Sequence, residues 1–199
     1  MENITSPLLQ RLWRTARPWL LPLGLVIVLR FTGVLGIISQ ISGSLLLKTG
    51  LLNASTDAPA VMHPFPYDFA LEDLSGRVVD VSTLRGKTLF VNIWATWCGP
   101  CRIEMPSIDA LYNVADTSRV AFLMISVDDD RDLGKVKSFV SEQAFSFPVY
   151  TAAGPFPELL RVRSIPTTFI VSREGTIIVR ESGLTNYNTK AIRALLEAR

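Results

Sequence analysis

The hydrophobic positions of this chain form one continuous stretch near the start and a mixed, alternating pattern from about residue 64 onward. The stretch 19–41, WLLPLGLVIVLRFTGVLGIISQI, contains Arg30 as its one charged residue. It is long enough to cross a hydrocarbon core of about 30 Å as a helix. A central Arg costs about 2.5–3.5 kcal/mol, which many apolar neighbours at about 0.3–0.6 kcal/mol each offset. The pattern therefore predicts one transmembrane anchor over 19–41.

Basic residues lie mainly on one side of this stretch. Arg11, Arg14 and Arg17 precede it closely, whereas only Lys48 follows it closely. Because basic flanks are retained on the cytoplasmic side, residues 1–18 are expected in the cytoplasm. We therefore expect a single-pass protein of the cell membrane whose remaining part lies on the periplasmic or extracytoplasmic side.

Two other interpretations of the apolar stretch remain open. A cleaved signal peptide has a shorter apolar region with a small-residue site just beyond it, and here the A-x-A pattern at 58–60 lies far downstream. A buried core helix fits poorly with Pro22 and with the one-sided basic cluster. Residues 42–63 are rich in turn-forming residues without a sustained period, which is typical of a linker. We expect a tether over 42–63 and a globular domain over 64–199.

The globular part alternates strand-like and helix-like segments, which is the pattern of an α/β sheet. Its run 88–95, TLFVNIWA, is largely apolar, as in a central strand that is covered on both faces. Two hairpins are predicted, one across Ser75-Gly76 and one across Glu174-Gly175, and Asn186 or Asn188 is expected to cap the last helix. Strands are predicted over 68–72, 77–81, 88–95, 120–127, 167–172 and 176–181, and helices over 98–116, 130–143, 156–161 and 188–199.

Charge and composition exclude several classes of partner and cofactor. The formal net charge of the 199 residues is only +2, so no strong field attracts nucleic acid and no such partner is expected. Two Cys and one His are too few for a closed structural zinc site, which takes four such ligands. The acidic run 128–130 has no other ligand-type residue near it in the pattern, and we expect a solvated loop that leads into a helix. Neither a metal nor an organic cofactor is expected.

The motif Trp97-Cys98-Gly99-Pro100-Cys101 lies where the central strand gives way to a helix. Cys98 at a helix N-terminus faces unpaired N–H groups and the positive end of the helix dipole, and both favour the thiolate. The thiolate is the attacking species in disulfide exchange, and Cys101, one turn later, is close enough to resolve a mixed disulfide. A structural disulfide or half of a metal site is the alternative for this pair.

Four motifs together resemble a known family. The chain is similar to the thioredoxin superfamily and, within it, to the membrane-anchored TlpA/ResA-like thiol–disulfide oxidoreductases associated with cytochrome c maturation. The resemblance covers residues 69 to about 198 and implies a thioredoxin-like fold with an N-terminal β-hairpin extension. It also implies that Pro106 kinks the active-site helix and that Pro166 is cis. The motifs are F-x-L-x-D-L-S-G at 69–76, L-R-G-K at 84–87, V-N-I-W-A-T-W-C-G-P-C-R-I-E-M-P at 91–106 and I-P-T at 165–167.

The resemblance also implies roles for individual residues. Thioredoxins carry a buried Asp where this chain has Asn92, which does not titrate, while the TlpA/ResA-like group carries a functional Glu at the position of Glu104. A surface Glu that stabilises the helix dipole is the alternative for Glu104, and an ordinary trans proline is the alternative for Pro166. The implied catalytic residues are Cys98, Cys101 and Glu104, and the implied substrate-binding residues are Trp97, Gly99, Pro100, Ile165 and Pro166.

The expected function is reduction of disulfides in exported proteins, such as apocytochrome c or similar clients, with electrons from a membrane donor of the CcdA/DsbD type. The Gly99-Pro100 dipeptide matches thioredoxin, whose potential is about −270 mV, whereas the oxidant DsbA lies near −120 mV. A disulfide-inserting oxidant of the DsbA type remains the alternative, because the same cysteine pair serves both directions. A Sco-like copper chaperone would need C-x-x-x-C spacing and a downstream His, neither of which this chain has.

Overall fold

The computed structural model describes residues 17–18, 20–22, 26, 45, 47, 49, 52–54 and 63–197. The chain divides into two units, Met1–Ser42 and Gly43–Arg199, and all elements named below belong to the second. Most of the predicted cytoplasmic segment, anchor and tether lies outside the described residues. Within the described residues, no helix combines the length and the apolar character that crossing a membrane requires.

The described part of the second unit contains strands, α-helices and short 3-10 helices in alternation. The 3-10 helices are Val81–Leu84, Asp130–Asp132 and Glu158–Leu160. The strands are β1 Ala70–Asp73, β2 Val78–Asp80, β3 Thr88–Trp94, β4 Val120–Ser126, β5 Val149–Ala152, β6 Thr167–Val171 and β7 Ile177–Ser182. The α-helices are α1 Gly99–Tyr112, α2 Leu133–Gln143 and α3 Lys190–Glu197.

These strands form one mixed sheet in the order β2-β1-β5-β4-β3-β6-β7. β3 is parallel to β4, with Thr88 opposite Val120, and antiparallel to β6, with Leu89 opposite Val171. Every residue of β3 is buried, which confirms the prediction of a central strand covered on both faces. The α/β sheet and both hairpins are likewise confirmed.

The two faces of the sheet carry separate hydrophobic clusters. Because successive side chains of a strand point to opposite faces, Leu89 and Ile93 enter one cluster, while Phe90 and Trp94 enter the other together with Met105 of α1. Helix α1 therefore packs on the face of β3 that carries the even-numbered residues. This placement brings residue 92, between Phe90 and Trp94, toward α1.

Three local predictions were wrong. β5 was not predicted, although it pairs antiparallel with β1 and parallel with β4 and so joins the N-terminal hairpin to the central sheet. The predicted helix 156–161 is a single 3-10 turn, Glu158–Leu160. The last helix is capped by Thr189, whose Oγ1 accepts a hydrogen bond from Ile192 N at 3.2 Å, and not by an Asn.

A short segment upstream of the domain pairs with the loop after β7. Ala54 N donates to Asn186 O at 3.1 Å, and Asn186 N donates to Leu52 O at 2.7 Å. Asn186 Nδ2 also donates to Asn53 Oδ1 at 3.1 Å. Asn186 Nδ2 lies 3.5 Å from Leu47 O as well, and Ile177 N on β7 donates to His63 O at 3.0 Å. Part of the expected tether is therefore bound to the domain, mainly through Asn186.

Candidate active site

Cys98 and Cys101 form a disulfide at the N-terminus of α1, with their Cα atoms 5.3 Å apart. Cys98 is the N-cap of the helix, and its Sγ accepts a hydrogen bond from Cys101 N at 3.2 Å. The exposed fraction is 5% for Cys98 and zero for Cys101. Cys98 thus lies at the N-terminus of α1, as the sequence predicted, and the strand end places it at the mouth of the site with Cys101 behind it.

The residues around the cysteines differ sharply in exposure. Trp97 is exposed over 69% of its surface, whereas Trp94 is fully buried in the core. Gly99 and Pro100 are also exposed, and Pro100 lies in the first turn of α1, where no N–H donor is needed. An exposed Trp and an exposed Gly-Pro turn surround Cys98, so the surface next to Cys98 is largely apolar.

Asp128 fixes the segment that leads into the cysteine motif. Its carboxylate accepts hydrogen bonds from Thr96 N at 2.9 Å, from Thr96 Oγ1 at 2.6 Å and from Ser126 Oγ at 2.7 Å. The prediction of a solvated loop at 128–130 is wrong for this residue, which is half-buried. Thr96 and Asp128 each follow a strand of the parallel pair β3–β4, and the carboxyl ends of such strands meet at one edge of the sheet. The positions of Thr96 and Asp128 directly after these two strands were the feature of the sequence from which their contact could have been predicted.

The Ile165–Pro166 peptide bond is cis, as the resemblance implied. Pro166 is buried, and Thr167 Oγ1 donates to Ser164 O at 2.8 Å across the turn. Ile165 packs against the core cluster that includes both cysteines. The cis-proline loop, residues 164–167, is therefore held next to the core that carries the cysteine pair.

Glu104 is fully buried in α1, so the alternative of a surface Glu is wrong. Its Oε1 accepts a hydrogen bond from Asn92 Nδ2 at 2.9 Å, and its Oε2 accepts one from Thr185 N at 3.3 Å. Desolvation raises the pKa of Glu104 from 4.5 to about 8, against the smaller lowering effect of these two hydrogen bonds. A carboxyl group that holds its proton at neutral pH thus lies one helical turn after Cys101.

The hydrogen bonds of Glu104 continue into a buried polar network. Asn92 Nδ2 also donates to Thr168 Oγ1 at 2.8 Å. Tyr187 interacts with Thr168 and Thr185, and burial together with the nearby Glu104 raises the pKa of the Tyr187 hydroxyl. Within the described residues Asn92 Oδ1 has no hydrogen-bond partner. Asn92 therefore joins the Glu104 carboxyl on α1 to the strand that begins directly after Pro166.

The arrangement is suited to thiol chemistry. Among the residues that the structure describes, no group of three or more His, Cys, Asp or Glu side chains is placed to hold a metal ion. Both cysteines are buried, with 5% of Cys98 and none of Cys101 exposed, and the two sulfurs form a dithiol when reduced. Such a pair can exchange with an external disulfide and then close on itself.

Comparison with known proteins agrees with this chemistry. The family model described as Redoxin matches residues 57–195. The chain is 32% identical over 112 residues to the thiol-disulfide oxidoreductase ResA of Bacillus thuringiensis, which covers 56% of this chain and 64% of that protein. The chain thus spans less than two thirds of the length of this relative.

Two solved structures share the fold. One is a thiol:disulfide interchange protein of the thioredoxin family from Chlorobium tepidum, with a TM-score of 0.55 and 26% identity over 70% of this chain and 99% of that one. The other is a secreted Mycobacterium tuberculosis disulfide oxidoreductase homologous to E. coli DsbE, with a TM-score of 0.51 and 26% identity over 58% of this chain and 84% of that one. The chain belongs to the redoxin family and has a thioredoxin-like α/β fold.

Proposed function

We propose that this protein is a thiol–disulfide oxidoreductase that reduces disulfide bonds in exported proteins. The observation that carries the proposal is the Cys98–Cys101 disulfide at the N-terminus of α1, with Cys98 at the mouth and Cys101 buried. The similarity to ResA and to two thiol–disulfide exchange proteins supports the same reaction class.

The reaction begins from the reduced protein. The helix N-terminus stabilises the Cys98 thiolate, which attacks one sulfur of the client disulfide and forms a mixed disulfide while the other client sulfur leaves as a thiolate. Cys101 then attacks Cys98 Sγ, so that the second client sulfur leaves and the Cys98–Cys101 disulfide forms. Two electrons and two protons pass to the client, which is reduced, while the protein is oxidised.

Glu104 takes the role of proton carrier in the second step. Cys101 is buried and must lose its proton before it attacks. Glu104 lies one helical turn after Cys101, and its pKa of about 8 leaves an ionised fraction at neutral pH that accepts this proton, since general bases act best when their pKa is near the working pH. Trp97, Gly99 and Pro100 form the surface around Cys98, and the Ile165 backbone beside Pro166 pairs with the client peptide.

The direction of the reaction is reduction. Gly99 and Pro100 supply no side-chain donor or charge to the Cys98 thiolate. The reduced form is therefore less stabilised than in an oxidant, which gives a low potential. Equilibration of the Cys98–Cys101 pair with glutathione should give a potential below about −180 mV, the value of an isomerase. A potential above about −180 mV would contradict the reductase and favour the disulfide-inserting oxidant of the DsbA type.

The setting that fits this function is the extracytoplasmic side of a membrane. One similar protein is described as secreted, and the apolar stretch 19–41 suits an anchor. A reductant in an oxidising compartment has to be recharged, so we place it with a membrane electron donor of the CcdA/DsbD type. Its clients are exported proteins, with apocytochrome c as the first candidate.

Trapping in cells tests both the reaction and the client. A Cys101→Ser variant cannot resolve the mixed disulfide, so we expect client proteins to stay linked to Cys98 and to be released by a reductant. Cys98→Ser is the matched control and should capture far less. Equal capture by the two variants would overturn the assignment of Cys98 as nucleophile, and capture by neither would overturn the proposed function.

A further inference from the structure

A groove with a volume of about 700 Å³ runs beside the cis-proline loop. One wall is the segment between Glu158 and Ser164, and the other comes from the ends of β6 and β7 through Thr167, Arg180 and Ser182. The groove lies outside the cysteine motif and has no role in the exchange steps described above.

The groove carries an excess of positive charge. Its described lining residues include three arginines, Arg161, Arg163 and Arg180, and a single acidic residue, Glu158. None of the three arginines forms an ion pair within the described residues. An Arg guanidinium presents a planar fork of donors that fits a carboxylate with two parallel hydrogen bonds.

Two of the arginines are already held in place. Arg161 Nε donates to Phe156 O at 3.0 Å, and the Arg180 guanidinium lies over the Phe169 ring, 5.5 Å from its centroid. Side chains that are ordered before binding lose less conformational entropy when a ligand arrives. Arg163 is exposed and extends the positive charge along the same wall.

The groove and the cis-proline loop share residues. Ser164 and Thr167, which line the groove, directly flank Ile165 and Pro166. Thr167 Oγ1 bonds to Ser164 O at 2.8 Å and lies 3.1 Å from Ser182 Oγ, which ties both walls together. A peptide that lies along the loop with its cysteine at Cys98 therefore carries its neighbouring residues toward the arginines.

We propose that this groove binds acidic side chains of the client polypeptide next to the cysteine that is reduced. The proposal rests on the proposed function, because the client is the polypeptide that pairs with the cis-proline loop. The partner chemistry is a carboxylate-bearing segment within a few residues of the reactive cysteine. Its role is selection among clients, since a charged groove changes the rate of encounter and the register of binding.

The test uses two disulfide-bonded peptides that differ only at the residues flanking the cysteine. These residues are Glu in one peptide and Gln in the other. The full chain in its reduced form is mixed with each, and the second-order rate constant of peptide reduction is measured. We expect the Glu peptide to react about three- to tenfold faster at low ionic strength, as for a few partly exposed charge pairs. This preference should shrink as salt is added, because salt screens exposed charges.

Charge-reversal variants test whether the arginines of the groove cause the preference for the Glu peptide. Arg163→Glu, alone and with Arg180→Glu, should bring the Glu to Gln rate ratio to one or below. Arg173→Glu, in the turn at the opposite end of the β6–β7 hairpin, makes the same charge change and should leave the ratio as it is in the unaltered protein.

The outcomes separate the two proposals. Equal rates for the Glu and Gln peptides with the unaltered chain would overturn the groove and leave the reductase standing. Failure to reduce either peptide would overturn the proposed function. A preference that survives Arg163→Glu and the double variant, or that disappears equally with Arg173→Glu, would show that the charge selection does not come from this groove.

Discussion

The Glu104 carboxyl is enclosed by protein, and its hydrogen-bond donors are the Asn92 amide and the backbone of Thr185. Neither donor carries a charge that would compensate an ionised carboxylate. Desolvation therefore decides the protonation state, and the pKa rises to about 8. Ionising Glu104 therefore costs more free energy in the folded protein than in the unfolded chain.

This cost predicts how stability depends on pH. The folded pKa is above the unfolded value of 4.5, so the folded state binds more protons than the unfolded state between these values. Glu104 therefore lowers the free energy of unfolding as pH rises from about 4.5 to 8, by up to about 1.4 kcal/mol per pH unit. Glu104→Gln keeps an acceptor oxygen and removes the titration, so the oxidised variant should gain stability relative to the unaltered protein by about 3–5 kcal/mol over this range.

Urea unfolding of both oxidised proteins at several pH values measures this difference. Asp109→Asn makes the same change from carboxyl to amide at a half-buried residue of the same helix and is the control against which the effect of Glu104→Gln is compared. Parallel stability curves for Glu104→Gln and the unaltered protein would contradict the assignment of a proton to Glu104 at neutral pH.

Asp128 gives a second prediction at the residue scale. Its carboxylate accepts three hydrogen bonds from Thr96 and Ser126, so Asp128→Ala leaves half-buried donors unpaired. We expect a loss of about 1–3 kcal/mol in the free energy of unfolding. We also expect slower client reduction at temperatures where the protein is fully folded, since Thr96 leads directly into the cysteine motif.

The neighbouring carboxylate is the matched control for that experiment. Asp129 is exposed and bonds mainly to Arg131, and exposed ion pairs contribute about 0–1 kcal/mol. Asp129→Ala should therefore cost little and leave the reduction rate unchanged. Equal losses of rate for the two variants would show that Asp128 does not position the cysteine motif.

At the scale of elements, the sequence predicted what strong local patterns encode. The apolar run of β3 and the hairpin turns at Gly76 and Gly175, both with positive φ, are recognisable because burial and turn geometry restrict the residue types there. β5 was not predicted because its four residues are too few to show a period. β1 and β2 are as short, but the Ser75-Gly76 turn between them indicates a hairpin. Thr189 was not predicted as the cap because Asn186 and Asn188 precede it and Asn is preferred over Thr at that position.

β5 gives the prediction at this scale, because Tyr150 pairs with Asp73 on β1 and with Ile125 on β4. Proline there removes a ladder donor in a strand with neighbours on both sides and leaves a buried carbonyl without its partner, at a cost of about 1–3 kcal/mol. Tyr150→Pro should therefore lower the free energy of unfolding well beyond Tyr150→Ala, which removes the same side chain. Urea denaturation of both variants measures the difference.

An edge strand serves as the control for the proline effect. Val78 lies on β2, at the edge of the sheet, and is exposed over 61% of its surface. Val78→Pro should cost clearly less than Tyr150→Pro. A similar loss at both positions would mean that β5 is not the link between the hairpin and the central sheet.

At the scale of the whole molecule, the site depends on contacts between distant parts of the chain. Glu104 meets Asn92 from 12 residues away and Thr185 from 81, and Thr96 meets Asp128 from 32. No local pattern encodes such contacts, so the sequence indicated Glu104 only through the resemblance. The arginines of the groove come from two segments, with Arg161 and Arg163 before the cis-proline loop and Arg180 on β7, and the sequence did not indicate any of them.

Contacts across the whole molecule also define where the folding unit begins. All named strands and helices, together with nearly all members of both hydrophobic clusters, lie after residue 63. The exception among buried cluster residues is Ala54, whose N bonds to Asn186 O. Asn186 lies between Thr185 and Tyr187, two members of the Glu104 network. The segment 52–54 therefore supports the loop that encloses Glu104 without supplying any element of the sheet.

A fragment of residues 64–199 should consequently fold and reduce a disulfide substrate, with a lower free energy of unfolding than the fragment 43–199. Among the described residues, the truncation removes four hydrogen bonds to Asn186 and the bond from Ile177 N to His63 O. At a net value of about 0.5–1.5 kcal/mol each, the expected loss is about 3–7 kcal/mol. Asn186→Ala in the longer fragment removes the side-chain bonds to Leu47, Asn53 and Asn188 but keeps both backbone bonds, and it should cost less than the truncation. Urea unfolding of the three proteins ranks them. If 64–199 fails to fold, the domain begins upstream of residue 64, and if it matches 43–199, the segment 52–54 contributes nothing to stability.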